Sequence, residues 1–299
     1  MSFKIVVMLV SVILLVSLTI VYFAPLNTID FGVKSGDYNF SVIQENESLQ
    51  FYPNMRLSSS AISYRISNCP LQKQDDMKYA FRAVEAVTPL AFYPVISNEE
   101  VYVTCQDENI INEGLFIAGE GGPTRIIVAG EFNIITHGDI LLIRESVCQN
   151  PNVAIHELFH VLGFGHSTNP ENIMYKISGC DQIIGQDMIQ EINRIYSVPS
   201  LPDLAFGNVS ATISGRFLKI NITVRNIGLN DASNSTVTIY AKGNVVKEFD
   251  LSSIPLGNGI ITTGNMFIPQ MNIKELELVI NNNFNEISKD NNKIKLEIK

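Results

Sequence analysis

The amino-acid sequence predicts an α+β domain followed by an all-β sandwich, both behind an apolar N-terminal helix. Three observations predict this order. Residues 5–24 are an uninterrupted apolar run, residues 61–198 mix strand-like and helix-like periodicities, and residues 199–299 change to short β-rich segments. The chain has 299 residues, which accommodates about two domains plus smaller segments. Its net charge of −9 and the absence of a dense Lys/Arg cluster argue against a nucleic-acid partner.

The run from Ile5 to Ala24 carries no charge. A helix of that length spans about 30 Å, the hydrocarbon thickness of a bilayer. Lys4 precedes it and Asp30 is the first charge after it, so the rest of the chain is expected outside the cytoplasm. The bulky Val21-Tyr22-Phe23 stretch favours an uncleaved single-pass anchor in the cell membrane over a removed signal peptide, secretion being the alternative. The sequons at Asn39, Asn46, Asn208, Asn221 and Asn234 all follow the run, in agreement with an outside location. The four cysteines, Cys69, Cys105, Cys148 and Cys180, then suggest disulfides. Proximity favours Cys69–Cys105 and Cys148–Cys180, but three pairings are open.

Residues 25–60 read as a linker punctuated by Pro25, Gly32, Gly36 and Pro53. Ala61 to Ile66 alternates like a strand. Asp75 to Val87 reads as a helix, with Met77, Ala80, Phe81, Val84 and Val87 on one face and Asp75 and Asp76 in its first turn. Thr88-Pro89 ends it. Strands follow at Val101–Thr104, Arg125–Ala129 and Ile140–Ile143, with Gly119-Glu120-Gly121-Gly122-Pro123 as an intervening loop. Helices are expected over Asn152–Gly163 and Gln186–Ser197, and Pro199 and Pro202 mark a boundary. Beyond it, Phe217–Val224, Ser235–Tyr240, Val245–Phe249, Gly259–Ile268 and Leu276–Ile280 read as sandwich strands.

Chemistry concentrates in His156-Glu157-Leu158-Phe159-His160-Val161-Leu162-Gly163-Phe164-Gly165-His166, which holds three of the chain's four histidines. His156 and His160 are one helical turn apart and project from one face. Two neutral imidazoles so placed suit Zn²⁺ at about 2.0–2.1 Å. Glu157, beside the first, is placed to reach a water on the metal rather than the metal itself. Gly163 supplies the left-handed residue that ends a helix, so the chain turns back and brings His166 to the same ion. Three protein ligands leave one position open, as in catalytic rather than structural zinc sites. Glu157 would then act as general base and pass its proton to the leaving group.

This stretch resembles the HExxHxxGxxH signature of the metzincin zinc peptidases. Asn172-Ile173-Met174-Tyr175 is similar to their Met-turn, and within the family the matrixins are most similar. The resemblance implies a zinc endopeptidase, with one catalytic zinc and Met174 as a hydrophobic base beneath the site. It also implies a twisted sheet over helices whose antiparallel edge strand binds an extended protein or peptide substrate by strand addition. Residues 25–60 hold no cysteine, so the matrixin latency thiol is missing. His137-Gly138-Asp139 resembles a fragment of the matrixin structural zinc site without its partner histidines, so no second zinc is expected; calcium is left open. The tail, from Pro202-Asp203-Leu204 through Val224-Arg225-Asn226-Ile227-Gly228 to Asn281-Asn282-Asn283-Phe284-Asn285-Glu286, is similar to CARDB adhesion modules. That implies a spacer or a module for a surface ligand. The expected organisation is 1–24 anchor, 25–60 linker, 61–198 peptidase domain and 199–299 sandwich. The expected function is cleavage of extracytoplasmic proteins. The alternative is a surface adhesion protein whose zinc domain is idle or self-processing.

Overall fold

The computed structural model describes residues 28–30, 49–107, 111–112, 115–144, 148–214, 217–267, 273 and 275–297. The expected membrane helix over 5–24 and the sequons at Asn39 and Asn46 lie outside these residues. Among the described residues, no helix is long and apolar enough to cross a membrane. Asn208, Asn221 and Asn234 are all exposed.

The first domain is built on β2 (Met55–Leu57), β3 (Ala61–Ile66), β4 (Ala91–Pro94), β5 (Val101–Cys105), β8 (Gly119–Ala129) and β9 (Phe132–Leu142). They form one sheet in the order β8-β9-β5-β3-β4, with β2 also paired to β9 and β1 (Thr28–Asp30) lying antiparallel on Arg125–Ile127 of β8. The β3–β4, β3–β5 and β5–β9 pairs are parallel. The β8–β9 hairpin is antiparallel, with its register shifting around Pro123, Arg125 and Ile126. A short pair, β6 (Ile111–Asn112) and β7 (Leu115–Phe116), precedes β8.

Helix α1 (Leu71–Glu85) covers the sheet with Met77, Ala80, Phe81 and Val84 buried. It begins four residues earlier than the apolar spacing indicates, directly after Pro70, so Asp75 and Asp76 fall outside its first turn. Proline fixes an extended entry and leaves the next residue free to start the helix. Helix α2 (Asn152–Val161) is buried throughout nearly its whole length, and α3 (Gln186–Tyr196) presents Met188, Ile192 and Ile195 to the core.

Two expectations are corrected. Residues 55–57, read as linker, are strand β2, whose Met55 and Leu57 are fully buried in the main core. Three residues are too few for an alternation to show. The glycine-rich stretch 119–123, read as a loop, is the first half of β8. Its missing side chains serve a close approach described below. Both disulfides form as expected, Cys69–Cys105 and Cys148–Cys180.

The second domain packs a three-stranded sheet, β10 (Leu204–Ser214), β11 (Phe217–Asn226) and β14 (Gly259–Phe267), on a four-stranded one. The latter runs β13 (Asn244–Leu251), β12 (Ser235–Ala241), β15 (Glu275–Asn281), β16 (Lys293–Glu297). Alternate residues of β11, Leu218, Ile220, Ile222 and Val224, enter a shared core with Val237, Ile239, Leu276 and Leu278. Five of these strands coincide with segments expected from the sequence, and β10 and β16 are additional.

Candidate metal and catalytic centre

Helix α2 carries His156, Glu157 and His160 on its buried side. It stops because Gly163 adopts φ +94°, and a side chain there would collide with Met55, Cβ falling 2.7 Å from both its Cγ and Sδ. The chain reverses, with Phe164 N donating to Phe159 O at 3.0 Å, and delivers His166. Residues 49–51 hold this turn from outside. Phe51 N donates to Gly163 O at 2.9 Å, and Gly165 N donates to Leu49 O at 3.0 Å. The Phe51 ring stacks on His160, with centroids 5.8 Å apart.

The three histidines converge. One nitrogen of each lies within 4.8 Å of the others, and Nε2 of His160 is 3.2 Å from Nε2 of His166. The opposite nitrogens of His156 and His160 are held by backbone carbonyls. His156 Nδ1 donates to Ile173 O at 2.7 Å, and His160 Nδ1 donates to Phe164 O at 2.8 Å. Each bond assigns the proton to Nδ1 and turns the Nε2 lone pair toward the common point. Burial pushes His156 down to about 4 and His160 down to about 3, so both are neutral at pH 7. His166 is lowered by burial and then by the charge of Lys176.

Met174 lies in the turn that serves these ligands. It is 1% exposed, its N–H is capped by Asn172 Oδ1 at 2.8 Å, and its carbonyl accepts from Ser167 N at 2.8 Å. The turn therefore abuts His166 on one side and supplies the Ile173 carbonyl to His156 on the other. The loop beyond it is tied to the start of α2. Asn152 Nδ2 donates to Gly179 O at 2.6 Å and Cys148–Cys180 closes the same segment, while Gln182 Nε2 donates to Ile177 O at 2.9 Å within the loop.

Glu157 is buried against β8. A Cβ at Gly119 would stand 2.9 Å from Glu157 Oε1, and one at Gly121 would stand 2.4 Å from the Glu157 carbonyl oxygen. Glycine at both positions lets the strand's backbone lie directly on the helix. Burial, reinforced by the charge of Glu120, pushes Glu157 up to about 8. A divalent cation beside it would draw that value down.

The donor set fits zinc. It offers three imidazoles, of which His156 and His160 are oriented by second bonds, and among the described residues no Cys, Asp or Glu joins the cluster. His137, the remaining histidine, lies apart in β9, 2.9 Å from Thr124 Oγ1. The triad, Glu157 and Met174 stand where the sequence motif places them. Gly119 and Gly121, marked in the sequence only by a glycine-rich run, and the carbonyls of Ile173 and Phe164, which have no side-chain signature, are added by the structure.

A domain of this fold with this site belongs to the metallopeptidase class. Residues 56–197 match the Matrixin family model and residues 201–295 match the CARDB model, so the chain carries a matrixin-like domain followed by a CARDB domain. The matrixin family implies zinc. Among solved structures, myroilysin is 13% identical over 47% of this chain and 93% of its own, with a TM-score of 0.31. The CARDB domain of a Pyrococcus furiosus protein, solved with di-metal ions, is 17% identical over 33% of this chain and 90% of its own, with a TM-score of 0.29. No curated protein matches the chain.

Proposed function

We propose that this protein is a zinc-dependent endopeptidase acting on proteins outside the cytoplasm, with zinc held by His156, His160 and His166 and Glu157 as general base. The observation that carries the reading is the convergence of three imidazoles, two of them oriented by backbone carbonyls, beside a buried carboxylate. Zinc, when bound, lowers the pKa of water and polarises the scissile carbonyl. Glu157 takes the proton of the attacking water and returns it to the leaving amine. An extended peptide adds to the outer edge of β8 at residues 119–123, which pair only with β9 among the described residues. The contact of Gly119 with Glu157 keeps the base within reach of a peptide on that edge. The Met-turn loop, clamped by Asn152, Gln182 and Cys148–Cys180, forms the facing wall.

We place the catalytic domain outside the cell, anchored through residues 5–24. The two disulfides favour this compartment, because cytosolic thiols are kept reduced. An idle zinc domain has no need of a buried carboxylate beside its first ligand, which favours catalysis over adhesion alone.

The test is zinc quantification joined to cleavage of a denatured protein with and without chelator. Glu157→Gln is expected to retain zinc and to lose roughly 10²–10⁴-fold in cleavage rate. Cleavage at the wild-type rate by this variant would rule out the assigned base.

A further inference from the structure

We propose that the CARDB domain braces the β8–β9 hairpin and so holds the substrate-binding edge of β8 in place, as a fixed part of the peptidase cleft. The proposal rests on the peptidase reading above.

The tip of the hairpin does not belong to the peptidase core. Ala129, 2% exposed, and Ile134, 0% exposed, form a separate cluster with Leu229 of the second domain, against which Phe132, Val198, Leu256 and Ile287 pack. The approach is close enough to demand glycine on both sides. A Cβ at Gly130 would lie 2.9 Å from Ile227 O, and one at Gly257 would lie 2.3 Å from Ile127 Cγ2. Both glycines have positive φ, +55° and +73°.

The connection between the domains is bonded to each of them. Arg56 Nη1 donates to Ile195 O at 2.5 Å and to Val198 O at 3.0 Å, and Ser200 Oγ donates to Ser58 O at 2.5 Å. On the other side, Leu229 N donates to Leu201 O at 2.8 Å, Ile287 N to Pro202 O at 3.1 Å and Ile227 N to Asp203 O at 2.7 Å. A tether built for reach would leave its backbone to water and be rich in flexible residues. This one fixes the orientation of the domains.

The hairpin needs such an anchor. Its ladder shifts register at Pro123, Arg125 and Ile126, which separates the half over Glu157 from the half on the CARDB domain. Along 119–123, β8 is an edge strand, and edges open at the least free-energy cost. Gly121 and Ala129 are about 27 Å apart at the rise of an extended strand. With the far half docked, the break cannot act as a hinge. With it released, the edge moves relative to Glu157.

The experiment uses the full chain with Leu229→Asp, and Leu229→Met as the conservative control. Amide hydrogen exchange is followed at 119–123 and at 256–258, together with zinc content and the KM and kcat for a peptide long enough to pair with β8. The expected result for Leu229→Asp is faster exchange at both segments, by about tenfold or more at 119–123. KM rises while kcat and zinc content stay near wild type, and Leu229→Met behaves as wild type. Where Leu229→Asp does not fold, Gly257→Val opens the same contact from the clash side. Faster exchange at 256–258 with unchanged exchange at 119–123 overturns the brace. A wild-type protein that cleaves nothing defeats the peptidase reading instead, and the exchange comparison still decides the brace.

Discussion

Glu157 in the first domain and Asn226 in the second are both nearly out of reach of water, at 6% and 1% exposed, and they use burial in opposite ways. Asn226 spends all its bonding capacity on the backbone. Its Nδ2 donates to Asn230 O at 2.7 Å and Ile254 O at 3.0 Å, and its Oδ1 accepts from Asp203 N at 3.2 Å and Gly228 N at 3.1 Å. It stitches together the loops at one end of the sandwich. Glu157 is pressed between a helix and a glycine strand, where burial raises its proton affinity. The neighbouring imidazoles are tied at Nδ1 and keep their other nitrogens for a common point. A buried polar group whose bonds are used up supports architecture. One whose capacity is left over and shared with its neighbours supports chemistry.

The contrast is sharpest in the metal-free protein, where removing the two side chains should have opposite signs. The folded-state pKa of Glu157, about 8, lies above its ordinary 4.5. Below pH 4.5 both folded and unfolded forms hold the proton, and the group costs nothing. As pH rises toward 8 the unfolded chain releases the proton first, so stability falls, by about 1.4 kcal/mol for each tenfold difference in proton affinity. Glu157→Gln should abolish this alkaline decline in thermal melts from pH 4 to 9. A decline that survives the substitution would assign it to another group. On the acid side, His156 and His160 are lowered to about 4 and 3, so stability should also fall as pH drops below 6.5 and the unfolded imidazoles take up protons.

Whereas Glu157→Gln stabilises only above about pH 4.5, Asn226→Ala should destabilise at every pH. It leaves several buried backbone groups unpaired and should cost about 4 kcal/mol. Calorimetry should show the sandwich destabilised while zinc content is unchanged. Parity with wild type in the melt would mean that solvent or a neighbour replaces the amide.

Breaking Cys148–Cys180 by the double substitution to Ser tests whether the Met-turn loop is held more by its bridge than by its hydrogen bonds. The loss should be about 3 kcal/mol, read as a lower melting temperature. An identical melting temperature with and without reductant would show that Asn152 and Gln182 suffice. Met174→Leu should be the mildest change, under about 1.5 kcal/mol with zinc retained, because the side chain fills space without bonding. Loss of zinc in this variant would give the sulfur a role beyond packing.

The triad was legible because its geometry is local. One turn of helix places His156 over His160, and Gly163 ends that helix at the right point. The sandwich was legible from the alternation along β11 and β12. The strand at 119–123 was not, because glycines facing a helix remove the alternation that marks a strand. Strand β2 was hidden in three residues. The start of α1 was misplaced because the apolar face begins a turn after the backbone does.

By itself, the sequence determined the donor atoms, their spacing along one helix and the change of character near Pro199. These depend on periodicities that span a few residues. Tertiary structure alone decided which carbonyls orient His156 and His160, that β8 lies on Glu157, and that the hairpin tip seats on Leu229. Those contacts join residues distant in the chain, and many are made by backbone groups common to every residue, so only packing selects among them.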